Sequence, residues 1–293
     1  MRTSLHGSAL SPEALIHRLV LWNIDLTLMD VARISREAYA EAFRQVTGRP
    51  LVALPQMAGK TDSEIFFEAL ALNAASSHAA SSHAVSSKAA SAGSAGSQVT
   101  GGHALLPDPA AADLELLSRY TWQLAEAFES RRKLLTQHGR ALPGAVAAVT
   151  AAAGLPGVVQ SVLTGTIRPN AAVKLDAFGI CRFFDLDIGG YGSEIYPKGA
   201  QLLRVRSRAA EKYGTEFDEH NTVYVADSGR DVEAARVGGV HCVAVASGRS
   251  TVGDLRNAGA DLVLTDLVDT AAVIRAIDRL TSAVPGSACI LGG

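Results

Sequence analysis

The sequence has few cysteines, almost no net charge and no long apolar run. Its three cysteines are widely spaced in 293 residues, so neither a disulfide framework nor a cysteine-based zinc site is expected. The 27 basic and 29 acidic side chains give a formal net charge of −2, which predicts no nucleic-acid partner. No apolar run reaches about eighteen residues, and residues 1–18 lack a signal-peptide core, so no membrane partner is predicted. These absences favour a cytoplasmic protein that acts on a small molecule.

Apolar strand-like segments alternate with helical patterns along most of the chain. This alternation, together with 48% hydrophobic and only 5% aromatic residues, favours helices packed on a parallel sheet. The predicted strands are residues 19–22, 158–163, 183–188, 222–225, 242–246 and 262–264. Helices are predicted at residues 144–153, 170–178, 198–213 and 231–237. The predicted fold class is therefore α/β, with a doubly wound parallel sheet, a Rossmann-like core and a ligand crevice at the carboxyl ends of the strands.

A helical subdomain is predicted between the first two strands. Helical spacing at 38–46, 62–72 and 113–133 indicates three helices. Residues 73–104 consist mainly of serine, alanine and glycine in near-repeats, so we expect a flexible insertion there and no metal site at His78 or His83. The motif Gly59-Lys60-Thr61 ends like a P-loop, but Leu54 stands where that motif needs its first glycine.

These patterns divide the chain into a core, an inserted helical domain and two tails. The predicted ranges are a flexible tail at 1–16, a core at 17–32 and 139–283, a helical cap at 33–138 that contains the insertion at 73–104, and a tail at 284–293.

Polar residues follow three of the predicted strands, where a ligand crevice is expected. They are Asn23, Asp25 and Thr27 after the first strand, Thr164, Gly165 and Thr166 after the second, and Asp227 and Asp231 after a later one. Their order resembles that of the haloacid dehalogenase (HAD) superfamily, whose motifs read Asp-x-Asp-x-Thr, a Thr or Ser ending a second strand, a Lys, and Gly-Asp-x-x-x-Asp. The resemblance covers residues 19 to about 280 and is greatest to the phosphoglycolate-phosphatase-like branch.

The resemblance implies a Mg²⁺-dependent phosphatase that acts on a small phosphorylated metabolite. Carboxylates are suitable hard oxygen ligands for Mg²⁺, and a threonine hydroxyl can donate to phosphate oxygens. In this family Asp25 would be the general acid and base. The implied metal ligands are Asn23, Asp25, Asp227 and Asp231, and the implied phosphate contacts are Thr27, Thr164 and Gly165.

A lysine completes the family's charge neutralisation, and two lysines are candidates. Position in the family favours Lys198, which precedes the Asp227 strand at the start of a predicted helix. Lys174, on the helix after Thr164, is the alternative.

The sequence departs from the family pattern at the nucleophile. Asn23 occupies the position of the nucleophilic aspartate, and a neutral carboxamide cannot form an aspartyl-phosphate. Leu26 replaces a glycine in the first motif, Thr166 stands where an asparagine is common, and Ala226 replaces the glycine of the last motif. We therefore expect impaired catalysis with ligand binding retained. The alternative is a non-catalytic regulatory protein that senses a phosphorylated ligand.

Overall fold

The computed structural model describes residues 17–84, 109–193 and 197–281, without the side chains of 75–84 and 109–112. The two predicted tails, 1–16 and 284–293, and residues 85–104 of the predicted insertion lie outside these ranges.

Within the described residues, five parallel strands form one sheet. The strands are β1 (Arg18–Trp22), β4 (Val158–Val162), β5 (Thr222–Ala226), β6 (His241–Val245) and β7 (Leu262–Leu264), in the order β4-β1-β5-β6-β7. The central strand β1 pairs on both sides, so that Trp22 lies beside Val162 and Val225. Three strands therefore end at the same level, and the residues that follow them meet at one edge of the sheet.

Helices cover both faces of this sheet. The helices of the core are α5 (Ala145–Ala153), α6 (Arg168–Ala177), α7 (Lys198–Tyr213), α8 (Gly229–Val237), α9 (Val252–Asn257) and α10 (Thr270–Thr281). Side chains alternate in direction along a strand, so Val20 and Trp22 enter one apolar cluster while Leu19 and Leu21 enter the other. This arrangement confirms the predicted doubly wound α/β fold.

A helical domain is inserted after β1. A short antiparallel pair, β2 (Met29–Asp30) and β3 (Arg140–Ala141), forms its stem, and between them lie α1 (Ala32–Thr47), α2 (Asp62–Ala84), α3 (Pro109–Glu129) and α4 (Arg132–His138). The ring of Phe66 on α2 stacks on Tyr120 of α3 at 4.1 Å, and Phe43 of α1 meets Phe66 edge-on. These buried rings hold three helices together as the cap.

Three predicted elements differ from the structure. The predicted strand at 183–188 is wrong: a 3-10 turn occupies Cys181–Phe183, and Leu163 and Gly190 form only an isolated bridge. This segment contains two aspartates and ends in Gly189-Gly190, so it follows the edge of β4 through single hydrogen bonds instead of a ladder, with Asp185 N donating to the carbonyl of Gln160 at 2.8 Å.

The other two differences concern cap helices. Helix α2 continues to Ala84, so residues 73–84 of the predicted flexible insertion are helical. Alanine has the highest helix propensity and needs no apolar periodicity to extend a helix. The single helix predicted at 113–133 ends at Glu129, and α4 begins after a turn at 130–131. None of the described helices has both the length and the apolar character needed to cross a membrane.

Candidate functional site

A cleft lies between the carboxyl ends of β1, β4 and β5 and the cap. Six of the candidate site residues selected from the sequence line it, namely Asn23, Asp25, Thr164, Gly165, Lys198 and Asp227. Thr27, Lys174 and Asp231 lie directly behind these residues and are almost fully buried. The structure thus brings all the sequence-selected residues together at one end of the sheet.

The turn after β1 is unusually tight. The carbonyl of Ile24 accepts from the backbone N–H groups of Thr27, Leu28 and Met29, at 3.3, 2.9 and 3.2 Å. Leu26 adopts a φ of 62°, and among the described residues it is the one non-glycine with a positive φ. Its carbonyl accepts from Ser247 Oγ at 2.7 Å. The position therefore has the left-handed conformation that favours glycine, which accounts for the glycine of the family motif; nothing in the structure explains the leucine.

The Asn23 side chain directs its nitrogen toward three oxygen atoms. Asn23 Nδ2 lies 2.9 Å from Asp227 Oδ1, 3.0 Å from the carbonyl oxygen of Asp25 and 3.2 Å from Thr27 Oγ1. Thr27 Oγ1 in turn donates to Asp227 Oδ1 at 2.8 Å. Asn23 thus donates a hydrogen bond directly to Asp227, although the two residues are 204 positions apart in the chain.

The carboxylate of Asp25 is held by two partners from the α6 region. Lys174 Nζ lies 2.9 and 2.7 Å from its two oxygens, and Thr166 Oγ1 donates to Oδ2 at 2.9 Å. Lys174 Nζ also donates to Thr166 Oγ1 at 3.0 Å. The lysine side chain is 1% exposed, so Asp25 is fixed in orientation and neutralised from beneath the cleft.

Lys198 lines the cleft and pairs with the acid behind it. Its Nζ lies 2.5 Å from Asp231 Oδ1, which also accepts from the Tyr224 hydroxyl at 2.9 Å. Ser228 Oγ donates to the other oxygen of Asp231 at 2.5 Å. Because the Asp231 carboxylate is fully buried and accepts from three side chains, it orients Lys198 rather than facing the cleft.

Asp227 has a raised pKa. Burial and the neighbouring charge of Asp231 raise the pKa of its carboxyl to about 7, against the hydrogen bonds from Thr27 and Asn23 and the charge of Lys198, which lower it. Gly248 packs so closely that a Cβ there would lie 2.0 Å from Asp227 Oδ2. This glycine is needed because no larger residue leaves room for the carboxylate.

The loop after β4 presents Thr164 and Gly165 to the cap. Thr164 N donates to the carbonyl of Gly190 at 3.0 Å, and its hydroxyl accepts from Thr166 N at 3.2 Å. The carbonyl of Gly165 accepts from Asp62 N at 2.7 Å. A Cβ on Gly165 would lie 1.9 Å from the carbonyl oxygen of Lys60, so the cap loop touches the core backbone here.

The sequence analysis missed Asp62, a buried carboxylate in the cleft. Asp62 begins α2, accepts from the Tyr39 hydroxyl at 2.5 Å and accepts from Ile167 N at 2.9 Å. Burial raises the pKa of Asp62 to about 6, although the charge of Lys174 and these hydrogen bonds lower it. The capping pair Thr61 and Glu64 marks the helix start in the sequence, but the two partners of Asp62 lie on other elements and carry no local signal.

The residues at this site do not fit Mg²⁺ in the observed arrangement. Carboxylate, carboxamide and carbonyl oxygens are its preferred ligands, and Asn23, Asp25 and Asp227 have such atoms. However, Asn23 presents a nitrogen, and this nitrogen is hydrogen-bonded to the Asp25 and Asp227 oxygens that a cation would need. In the part of the chain that the structure describes, no three or more histidine, cysteine, aspartate or glutamate side chains form a group that could hold a metal ion.

Solved structures with the same architecture include several enzymes. A predicted phosphatase from Clostridium acetobutylicum matches with 14% identity and a TM-score of 0.55 over 89% of this chain and 99% of its own. A hydrolase from Pseudomonas syringae matches with 18% identity and a TM-score of 0.54 over 90% and 100%. A predicted phosphoglycolate phosphatase from Haemophilus somnus 129PT matches with 17% identity and a TM-score of 0.54 over 88% and 98%. At these identities the likeness shows the fold.

Comparison with family models supplies the stronger assignment. No curated protein matches the chain. The model of HAD, the haloacid dehalogenase-like hydrolases, matches residues 20–236, which include every residue of the cleft described above, and a HAD-hydrolase-like model matches residues 204–270. Since the first match extends over more than half of the sequence, the chain belongs to the haloacid dehalogenase-like hydrolase family.

Proposed function

We propose that this protein binds a small phosphomonoester in its cleft and hydrolyses it very slowly or not at all. The observation that carries the proposal is the meeting of Asn23, Thr164, Lys198 and Asp227 around one cavity at the carboxyl ends of three strands. Phosphoryl transfer depends on positioning and charge neutralisation. Among these residues, Thr164 supplies a hydrogen-bond donor that can position a phosphate, and Lys198 supplies a positive charge. The scaffold is that of a phosphatase, and the group that would bond to phosphorus is missing.

Two contacts support phosphate binding. The Thr164 hydroxyl lines the cleft on a loop tied to Gly190, and the Lys198 ammonium lines it on a helix start fixed by Asp231. A phosphate between them would gain a hydroxyl donor and a positive charge on rigid elements. Replacing an aspartate by Asn23 also removes one negative charge that would repel a phosphate dianion.

Slow hydrolysis follows from the chemistry of position 23. The carboxamide of Asn23 is a weak nucleophile, and removal of a nucleophile in other enzymes lowers the rate by about 10³-fold or more. Residual turnover would need direct attack by water on the phosphoryl group. Asp25 is the base available for that step, because Lys174 and Thr166 hold its carboxylate at the cleft wall.

The cap side of the cleft favours a neutral, mainly apolar alcohol as the rest of the ligand. Its apolar lining residues are Val31, Ala32, Met57, Ala58 and Ile65, and they lie beside the polar residues Ser35, Tyr39, Lys60 and Asp62. Among the described residues that line the cleft, the cations are Lys60 and Lys198, and each is paired with a carboxylate, Glu68 and Asp231 respectively. With Lys198 contacting the phosphate, a second anionic group on the ligand would meet Asp62 and a lysine already paired with Glu68, which is unfavourable.

A panel of monoesters tests this proposal in the wild type and in Asn23→Asp, assayed with Mg²⁺ present. Phosphate release would be compared for a short alkyl phosphate, phosphoglycolate and a hexose phosphate. We expect negligible release by the wild type and restored release by Asn23→Asp, fastest with the alkyl ester. If Asn23→Asp is folded and releases no phosphate from any ester, the phosphatase scaffold is the wrong assignment.

A purely regulatory role is the second candidate. The observation that favours this role is the set of hydrogen bonds from the Asn23 amide to three neighbours. These bonds give Asn23 a structural function that does not require catalysis. Turnover of any monoester by the wild type at ordinary enzyme rates, about 1 per second or faster, would exclude that role.

A further inference from the structure

The Asn23 carboxamide lies among oxygen atoms that all need a positive or hydrogen-bearing neighbour. Its nitrogen is within 3.2 Å of the Asp25 carbonyl, Asp227 Oδ1 and Thr27 Oγ1. Asp227 is 3% exposed, so its charge depends on these neighbours more than on water. The amide hydrogens therefore satisfy buried acceptors at the centre of the site.

The orientation of this carboxamide follows from its neighbours. A carbonyl and a carboxylate can only accept, and the Thr27 hydroxyl already donates its hydrogen to Asp227 Oδ1. The reverse orientation would place the Asn23 oxygen about 3 Å from two other acceptors with no hydrogen between them, which is repulsive. Only the nitrogen suits this position.

We propose that the Asn23 amide takes the place of a divalent cation, so that the cleft binds its phosphate ligand without Mg²⁺. The inference deepens the proposed function, because it concerns the same cleft and the same ligand. The amide nitrogen links the Asp25 carbonyl to Asp227, which are the oxygens that a cation would otherwise hold together. The surrounding contacts from Thr27 and Gly248 fix Asp227 in the position that the amide requires.

An aspartate at position 23 would reverse this balance. Its carboxylate oxygen, placed where the amide nitrogen lies, would be about 3 Å from Asp227 Oδ1 and from the Asp25 carbonyl. With both carboxyl groups ionised, two carboxylates and a carbonyl would then face one another, an arrangement that a divalent cation stabilises. Asn23→Asp should therefore need the metal that the wild type does without.

The test measures Mg²⁺ binding directly, without substrate and without turnover. Purified wild type and Asn23→Asp would be titrated with MgCl₂ by calorimetry, and their melting temperatures compared in EDTA and in excess Mg²⁺. We expect no site-specific heat and an unchanged melting temperature for the wild type. For Asn23→Asp we expect binding near one equivalent and a melting temperature several degrees higher in Mg²⁺ than in EDTA.

Two variants control this comparison. Asn257→Asp adds the same charge at an exposed position on α9, and its melting temperature should respond to Mg²⁺ as the wild type does. Adding Asp227→Asn to Asn23→Asp should remove the Mg²⁺ response. If Asn23→Asp does not fold, the wild-type titration decides: stoichiometric Mg²⁺ binding that Asp227→Asn abolishes would overturn the inference.

A phosphate titration separates this inference from the proposed function. Inorganic phosphate would be titrated into the wild type in EDTA and again in Mg²⁺. Equal affinities support the inference, whereas binding that requires Mg²⁺ contradicts it and leaves the proposed function in place. No phosphate binding by the wild type in either buffer would contradict both.

Discussion

Lys174 and Asp25 form an ion pair whose two members differ in their access to water. The lysine side chain is 1% exposed and the aspartate 38%. The Lys174 ammonium contacts both oxygens of Asp25 and lies 5.0 Å from the centre of the Phe128 ring. Lys198 has a comparable acidic partner in Asp231. Both lysines selected from the sequence are thus structural partners of acids at the site, and only Lys198 lines the cleft.

We expect Lys174→Met to lower the free energy of unfolding by about 1–3 kcal/mol, because Asp25 loses its charged partner while methionine fills the space. Chemical denaturation measures this difference. Lys212→Met makes the same substitution at a more exposed lysine, which pairs with Asp185, and it should change stability by less than about 1 kcal/mol. Equal losses of unfolding free energy in the two variants would show that the buried Lys174–Asp25 pair stabilises the protein no more than a surface pair does.

Ionisation of Asp62 should make stability depend on pH. Its pKa is about 6 in the folded protein against an ordinary 3.8, so the folded state binds a proton that the unfolded state has released. The stabilising contribution of the protonated carboxyl is complete below the ordinary value and is lost as the pH rises through about 6. Relative to Asp62→Asn, the wild type should lose of the order of 1–3 kcal/mol of stability between about pH 4 and about pH 7.

Denaturant titrations of the wild type and Asp62→Asn at a series of pH values measure this change. The exposed substitution Asp266→Asn controls for the loss of one negative charge. A stability difference between the wild type and Asp62→Asn that is the same at every pH would contradict the raised pKa.

At the scale of elements, the loop and first turn of α2 connect the cap to the core. Asp62 N donates to the carbonyl of Gly165, and Ser63 Oγ donates to the carbonyl of Gly192 at 2.7 Å. Arg230 on α8 pairs with Glu64 at 2.9 Å across the same boundary. These contacts hold the cap over the cleft, and a bound ligand would be enclosed by them.

Gly165→Ala should disturb this contact, since the added Cβ would lie 1.9 Å from the Lys60 carbonyl oxygen. The cap loop must move away, so we expect weaker phosphate binding and faster amide hydrogen exchange in residues 57–63. Gly253→Ala is the matched control, because its Cβ would meet nothing nearer than 3.7 Å. Unchanged exchange and affinity in Gly165→Ala would show that the cap loop is not tied to the core at this point.

The sequence predicts regular elements of the core well and irregular ones poorly. Helix α7 and strand β7 have the predicted bounds, because each is a single amphipathic or apolar segment with clear ends. The segment 183–188 was predicted as a strand from a few apolar residues, but its aspartates bond to side chains, as Asp185 does to Tyr213 at 2.5 Å. Helix α2 shows the opposite case, in which an alanine-rich stretch without periodicity is helical.

At the scale of the whole molecule, strand register explains why the site could be predicted. Residues that follow β1, β4 and β5 meet because these strands end together, so the order of polar clusters along the chain was enough to find them. The direction of the Asn23 nitrogen and the place of Asp62 could not be predicted, since each depends on one partner more than 100 positions away, Asp227 and Ile167 respectively.

The charge balance of the site depends on the neutral side chain of Asn23. With Asn23 neutral, Asp227 is matched by two hydrogen bonds and by nearby Lys198, and Asp25 by Lys174. Both acids thus have partners within the protein. We propose that this cleft has the geometry for phosphoryl transfer and lacks only the nucleophile.

Mass spectrometry of an acid-quenched reaction tests that claim most directly. The wild type and Asn23→Asp would be mixed with an alkyl phosphate in Mg²⁺, digested, and searched for a phosphoryl group on the peptide that carries position 23. We expect the adduct in Asn23→Asp and none in the wild type. An adduct-free but folded Asn23→Asp, or an adduct on this peptide in the wild type, would contradict the account.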